Sequence, residues 1–300
     1  MKNNPHTTKR ADNTPPDRRR SRLQRNVTAN CRNSLYLYLH KDRIAKLMIG
    51  IFDSGIGGLS VFKEIRKLLP EESYIYYSDN AHCPYGEKSK EYIIDRARRI
   101  TAYLIEKGAD IIVVACNTAT AAAISTLREE FPIKFIGMEP AVKPAVKSTR
   151  TGVVGVLATA GTLKADKYLC TREKFSEGIK VVEHIGQGFV ELVEKGYLSG
   201  KEAESIVTAS LKPLLDEGAD RIVLGCTHYP FLAGTIQKIA KELYPDREIE
   251  IIDPAPAVAR HLIEVMKEEG LLPSRSTSYS ISLHSSGDKT CLENTYKNLL

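Results

Sequence analysis

No two of the six cysteines in this 300-residue chain form a CxxC pair. Cys31, Cys83, Cys116, Cys170, Cys226 and Cys291 are too scattered for a structural zinc site or a disulfide scaffold. A chain of this length buries enough core for two domains without such staples, and a reducing cytoplasm is its natural compartment. No apolar run approaches the ~20 residues that cross a bilayer, and the N-terminus lacks the apolar core of a secretory signal. A basic body is missing too, although the net charge is +6. Residues 1–47 carry 12 Lys and Arg against 3 Asp and Glu, which leaves 31 against 34 for the remainder. The positive charge therefore belongs to a leader rich in Pro, Arg and Asn, with little periodic apolar character, which reads as disordered. A translation start at Met48 would account for it, and the alternative is a polyanion-binding or targeting arm. Nucleic acid is not an expected partner of the body.

From Met48 onward, short β-branched runs alternate with longer helical patterns, the signature of βα units on largely parallel sheets. Strands are predicted at Ile49–Asp53, Tyr74–Asp79, Ile111–Ala115, Phe135–Gly137, Gly152–Leu157, Lys180–His184, Arg221–Gly225, Glu250–Ile252 and Tyr279–Leu283. A helix after Gly58 carries Leu59, Phe62, Ile65, Leu68 and Leu69 at helical spacing and is stopped by Pro70. A second spans about Ser89 to Lys107.

A nine-residue stretch occurs twice, 110 residues apart: GADIIVVAC at Gly108 to Cys116 and GADRIVLGC at Gly218 to Cys226, identical at six positions. Each copy reads as helix, turn, buried strand, cysteine and then another helix. Such a cysteine lies at the carboxyl edge of a sheet, where ligands bind in open α/β folds. A helix N-terminus there favours an anion and lowers a thiol's pKa from its free value of ~8.5. Duplication divides the body into two similar α/β domains, 48–148 plus 254–300 and 149–253. VVGVLATAGT in the second sits where IGIFDSGIGG sits in the first.

A cysteine that merely closes a buried strand is common. That reading gives no reason for polar neighbours at both copies, Asn117-Thr118 after one and Thr227-His228 after the other, whereas a catalytic thiol needs them. In the DSGIGG turn of Asp53 to Gly58, glycines let backbone N–H groups approach a small anion such as a carboxylate. It is not a dinucleotide fingerprint, because Ser60 takes the last glycine's place. In the loop NAHCPYG, the Tyr85 hydroxyl and Gly86 N–H are placed to reach a ligand, while His82 and Cys83 read as incidental.

In order, DSGIGG, PYG, ACNTAT and GCTHYP resemble the motifs of the cofactor-independent glutamate racemases of bacteria, over essentially all of residues 48–300. The resemblance implies two pseudo-symmetric α/β domains with mainly parallel sheets, an active site in the cleft between them, and supply of D-glutamate for peptidoglycan. It also implies a homodimer, as in many members, and contact with DNA gyrase in some. Two opposed thiols suit a racemase, since one removes the α-proton and the other returns a proton to the opposite face, with neither pyridoxal phosphate nor metal demanded. By resemblance Cys116 acts on the D-enantiomer and Cys226 on the L-enantiomer. Asp53 near Cys116, and His228 with Glu194 near Cys226, resemble the family's auxiliary acid/base groups, although Glu191 lies one helical turn from Glu194 and the sequence does not choose. Carbanion stabilisation is expected from Ser54, Asn117, Thr118, Thr227 and backbone near Gly86. The rival readings are an aspartate racemase, a thiol hydrolase using one cysteine with His228, and binding through the basic arm.

Overall fold

The computed structural model describes residues 47–271 and 279–299. The leader expected at 1–47 therefore lies, apart from Leu47, outside the described residues. Leu47 itself is buried in the core, and its carbonyl accepts the N–H of Ser73.

Two parallel sheets form the scaffold. The first contains β1 (Met48–Asp53), β2 (Ser73–Ser78), β3 (Ile111–Val114), β4 (Lys134–Gly137) and β9 (Ser280–Ser285), in the order β4-β3-β1-β2-β9. The second contains β5 (Val153–Ala158), β6 (Lys180–Ile185), β7 (Arg221–Gly225) and β8 (Glu250–Ile252), in the order β6-β5-β7-β8. Every ladder is parallel. All nine predicted strands form, with ends within two residues of expectation. The first helix runs Leu59–Leu68, just short of Pro70, and the second Lys90–Glu106 with Ser89 as its cap.

Both faces of each sheet are covered, so β1, β3 and β7 are apolar along nearly their whole length. Alternation then decides which layer each side chain joins. Ile111 and Val113 join a core that also takes in Phe189, Val207, Leu224 and Leu262, while Ile112 and Val114 face the helices Lys90–Glu106 and Asn117–Glu130. One apolar cluster thus runs through both lobes.

The GAD repeat is largely structural. Gly108 and Gly218 have φ of 92° and 96°, a left-handed bend that ends a helix and that glycine adopts without strain. Asp110 then accepts the N–H of Met48 at 2.8 Å, and Asp220 accepts the N–H of Arg150 at 2.8 Å. Each aspartate pins the chain entering the first strand of its own sheet.

The two sheets share the expected pseudo-symmetric strand order, β4-β3-β1-β2 and β8-β7-β5-β6, and the copies diverge only just beyond the cysteines. Cys116 caps the helix Asn117–Glu130, its carbonyl accepting from Thr120 at 2.8 Å. Cys226 is followed by a 3₁₀ turn, Tyr229–Leu232, and the α-helix begins only at Ala233. The residue four positions after Cys226 is Pro230, which has no N–H for an α-helical bond, so the Cys226 carbonyl takes Tyr229 N–H instead, at 3.1 Å.

Candidate active site

The carboxyl ends of β1, β3 and β7 bring the two repeat cysteines to one small cavity of about 10 Å³. Of the eleven residues singled out from the sequence, nine line it: Ser54, Tyr85, Gly86, Cys116, Asn117, Thr118, Cys226, Thr227 and His228. Pro84, Thr159 and Val190 complete the wall. Asp53 and Glu194 stand behind this layer and act on it through hydrogen bonds.

Asp53 is fully buried at the end of β1. Gly58 N–H donates to its Oδ2 at 2.8 Å, and the hydroxyls of Thr227 and Ser54 lie 3.4–3.5 Å from its oxygens. Burial raises its pKa, and the nearby His228 charge and hydrogen bonds from the Gly58 and Ser54 N–H groups and Cys116 only partly offset that. Ile56 N–H donates to Glu194 Oε1 at 2.8 Å. Two N–H groups of the glycine turn are thus given to the protein's own carboxylates, which corrects the expectation that they would approach a bound anion. The glycines serve close packing instead. A Cβ on Gly55 would lie 1.9 Å from Glu194 Oε1, and one on Gly57 would lie 2.3 Å from His228 Nδ1.

Cys116 is buried at the N-terminus of its helix, where Ala119 N–H reaches its Sγ at 3.4 Å. The expected lowering of its pKa does not occur. Burial drives the thiol well above its ordinary value, the Asp53 charge adds to this, and the helix N–H is outweighed. Cys116 is therefore a thiol at neutral pH.

Around Cys226 the arrangement differs. Its Sγ lies 3.8 Å from His228 Nδ1, and His228 Nε2 donates to Glu194 Oε1 at 2.7 Å. Burial pulls the imidazole pKa down, but Cys226, Cys83 and Glu194 more than offset this and hold it well above the ordinary histidine value. Burial pushes Glu194 up, yet His228 and Ile56 bring it below the ordinary value, so the pair is imidazolium and carboxylate. Distance also separates the two glutamates. Glu194 is the one that meets His228, while Glu191, one turn earlier in the short helix Phe189–Glu194, is exposed.

Both atoms of the Asn117 side-chain amide are buried and lack a partner among the described residues. That is costly unless a ligand or water completes them. Thr118 shares a hydroxyl network with Thr159 at 2.9 Å and Thr162 at 3.3 Å, joining the helix Asn117–Glu130 to the other lobe. Tyr85 corrects expectation: its hydroxyl donates to Asp79, which Arg96 also holds through two bonds of 2.7 and 2.9 Å, so it is not offered to a ligand. Two cysteines read as incidental or unassigned also reach the site's edge. Cys83 Sγ is 3.9 Å from Glu194 Oε1, and Cys291 Sγ donates to the Glu194 carbonyl at 3.1 Å. His82 stays outside, bonded to the Tyr92 hydroxyl.

The family pattern of the Asp/Glu/hydantoin racemases matches residues 49–262. The glutamate racemase of Stutzerimonas stutzeri is 50% identical over 227 residues, 75% of this chain and 84% of its own. Among solved structures, glutamate racemase from Bacillus anthracis superposes with a TM-score of 0.75 at 32% identity, covering 84% of this chain and 93% of that one. Escherichia coli glutamate racemase, in complex with L-glutamate and the activator UDP-MurNAc-Ala, gives a TM-score of 0.74 at 32% identity, covering 85% and 96%. The chain belongs to the Asp/Glu/hydantoin racemase family, among the glutamate racemases.

Proposed function

We infer that this chain interconverts L- and D-glutamate by proton transfer at Cα, without a cofactor, and supplies D-glutamate for peptidoglycan. The observation that carries the two-base reading is the placement of Cys116 and Cys226, from different sheets, on the wall of one cavity beside an unpartnered Asn117 amide. Cys226 removes the α-proton of L-glutamate, with His228 supplying the counter-charge and Glu194 holding the imidazole. Cys116, a thiol in the resting site, returns a proton to the opposite face. In the reverse direction the roles exchange, and Asp53, whose raised pKa suits it to accept a proton, serves Cys116. The Asn117 amide, with Ser54 and Thr227, orients the substrate and stabilises the carbanion-like transition state.

The cavity of about 10 Å³ has room for roughly one water molecule and not for glutamate. Substrate entry therefore requires the lobes or the 80–88 loop to part, and closure then excludes water from the carbanion.

The two sheets support a division into 48–148 plus 254–300 and 149–253, because β9 returns beside β2 while β5 to β8 form a sheet of their own. Family resemblance supports a homodimer, which light scattering would test, and a cytoplasmic site of action. Among the described residues no helix is long and apolar enough to cross a membrane. A gyrase contact rests on resemblance alone, and deleting residues 1–47 would show whether it needs the basic leader.

The test is α-hydrogen exchange and circular dichroism with each enantiomer in deuterated water. The parent equilibrates the enantiomers without added cofactor, whereas Cys116→Ser and Cys226→Ser both fail to. Full activity in either variant would rule out the two-thiol mechanism, and an inert parent would rule out the activity.

A further inference from the structure

Beside the proton-transfer pair lies a cluster of different chemistry. Cys83, Glu194 and His228 each offer one ligand atom, and these atoms lie within 4.8 Å of one another. Thiol sulfur, imidazole nitrogen and carboxylate oxygen are the donors that a borderline-soft cation such as Zn²⁺ takes. Zn–S of about 2.3 Å and Zn–N and Zn–O of about 2.0 Å, at tetrahedral angles, separate sulfur from oxygen by about 3.5 Å and nitrogen from oxygen by about 3.3 Å. The corresponding separations here are 3.9 Å for Cys83 to Glu194 and 2.7 Å for His228 to Glu194. Zinc geometry asks for changes of roughly half an ångström in these two separations and for Cys83 and His228, which lie within 4.8 Å of each other, to close to about 3.5 Å.

Further features favour a bound ion. Ile56 N–H already fixes the Glu194 carboxylate at 2.8 Å, and His228 Nδ1 faces Cys226 and the Thr227 hydroxyl, so Nε2 is the nitrogen turned to the cluster. Such outer contacts orient metal ligands. Cys83 and Glu194 are both part-exposed, which gives an ion a way in, although His228 is buried. One thiolate and one carboxylate neutralise a divalent cation, and water takes the fourth position.

We propose that Cys83, Glu194 and His228 form an inhibitory Zn²⁺ site at the edge of the active site. Ligation takes Cys83 as thiolate and His228 through an unprotonated Nε2, so protons held there pass to solvent on binding. The ion takes the place of the proton between His228 Nε2 and Glu194 and parts their 2.7 Å pair, which moves the imidazole that faces Cys226. Metal occupancy and racemisation are then mutually exclusive.

Cobalt(II) titration of the full chain under reducing, anaerobic conditions tests this directly, since a thiolate ligand gives a sulfur-to-cobalt charge-transfer band whatever the substrate. One Co²⁺ per chain should bind with such a band, and Zn²⁺ should displace it. Cys83→Ser should lose the band and weaken Zn²⁺ binding at least about tenfold, measured by competition with a chromophoric chelator. Cys83→Asp should recover affinity without the band, and Cys226→Ser should keep both. Zn²⁺ should inhibit racemisation by the parent at concentrations at least about tenfold below those needed for Cys83→Ser, each compared with its own metal-free rate. Absence of binding in the micromolar range, a band that persists in Cys83→Ser, or one that disappears in Cys226→Ser would each overturn the assignment. Near-ultraviolet circular dichroism of each variant separates a lost ligand from a lost fold.

Discussion

Gly55→Ala isolates the His228–Glu194 pair without touching a thiol. Gly55 does not occupy the left-handed region, so alanine meets no backbone penalty there, and the whole effect comes from where its methyl group goes. That carbon would sit 1.9 Å from Glu194 Oε1, against the 3.0 Å that real contacts respect, so the carboxylate must retreat by roughly 1.1 Å. The obstacle is the far end of a flexible side chain, and the fold should survive with the loss of one charge-assisted hydrogen bond, about 1.5–3 kcal/mol. Catalysis should suffer as well, because His228 loses the partner that holds its charge and its angle toward Cys226. A misplacement of about 1 Å in such a group costs on the order of 10²-fold, or about 2.7 kcal/mol. The assay is kcat/KM for L-glutamate by circular dichroism, for Gly55→Ala, Glu194→Gln and the double variant. If the methyl group acts through Glu194, the double variant is little worse than the worse single one. A folded Gly55→Ala enzyme with the parent's rate, or losses that multiply in the double variant, would refute the reasoning.

Arg96→Ala should lower stability by about 3 kcal/mol, a Tm decrease of roughly 6–12 °C, because it strands the buried Asp79 carboxylate under the NAHCPYG loop. Burial raises Asp79, but Arg96 and Tyr85 more than offset this and hold it below its ordinary value. A carboxyl depressed on folding adds stability that is present above its unfolded pKa and lost as pH falls through its folded one. The Tm gap between parent and variant should therefore shrink below about pH 4, and a gap independent of pH there would contradict it. Gly234→Ala, on the exposed face of the helix Ala233–Leu243 with nothing within 4 Å of the added carbon, should raise Tm by about 2–4 °C and leave kcat unchanged.

Period and chain order carry the part of the structure that is legible in the sequence. Strands buried on both faces, glycines that end helices and cysteines at the carboxyl ends of β3 and β7 are written locally, and parallel sheets then fix their positions. The site's finer contacts are not local. Glu191 and Glu194 share a helix, and only the approach of Gly55 and Ile56 from the other lobe shows which of them His228 meets. The Tyr85 hydroxyl is free in the sequence and engaged in the fold, because Asp79 and Arg96 come to lie beside it. Cys83 gains its neighbours through tertiary contact alone. The broken symmetry, by contrast, has a local signal: a proline four residues after Cys226 forbids the helical bond that Cys116 makes. The thiol pKa of Cys116 departs from expectation because a helix end can be read from sequence, whereas complete burial beside Asp53 cannot.

The same asymmetry bears on the energetics of turnover. One thiol is paired with a buried, protonation-prone carboxyl at Asp53, the other with an imidazolium at His228, so the two protonation states of the resting enzyme differ in free energy. Enantiomers have equal free energies in an achiral solvent, so the overall equilibrium constant is one at every pH. The ratio of kcat/KM in the two directions must therefore also be one, whatever the thiols do. Any imbalance between the sulfur sites has to appear as compensating changes in kcat and KM. A direction whose binding-competent protonation state is scarce shows a raised KM, by the inverse of its population, and a kcat raised in proportion. Variants at Asp53 and at His228 should therefore shift the L-to-D and D-to-L values of kcat and KM by different factors while their kcat/KM values fall together. Initial rates with each enantiomer across pH would show it. If kcat and KM stayed equal in both directions for the parent and for both variants, the two thiols would be energetically equivalent, and the asymmetric environments of Cys116 and Cys226 would have no bearing on turnover.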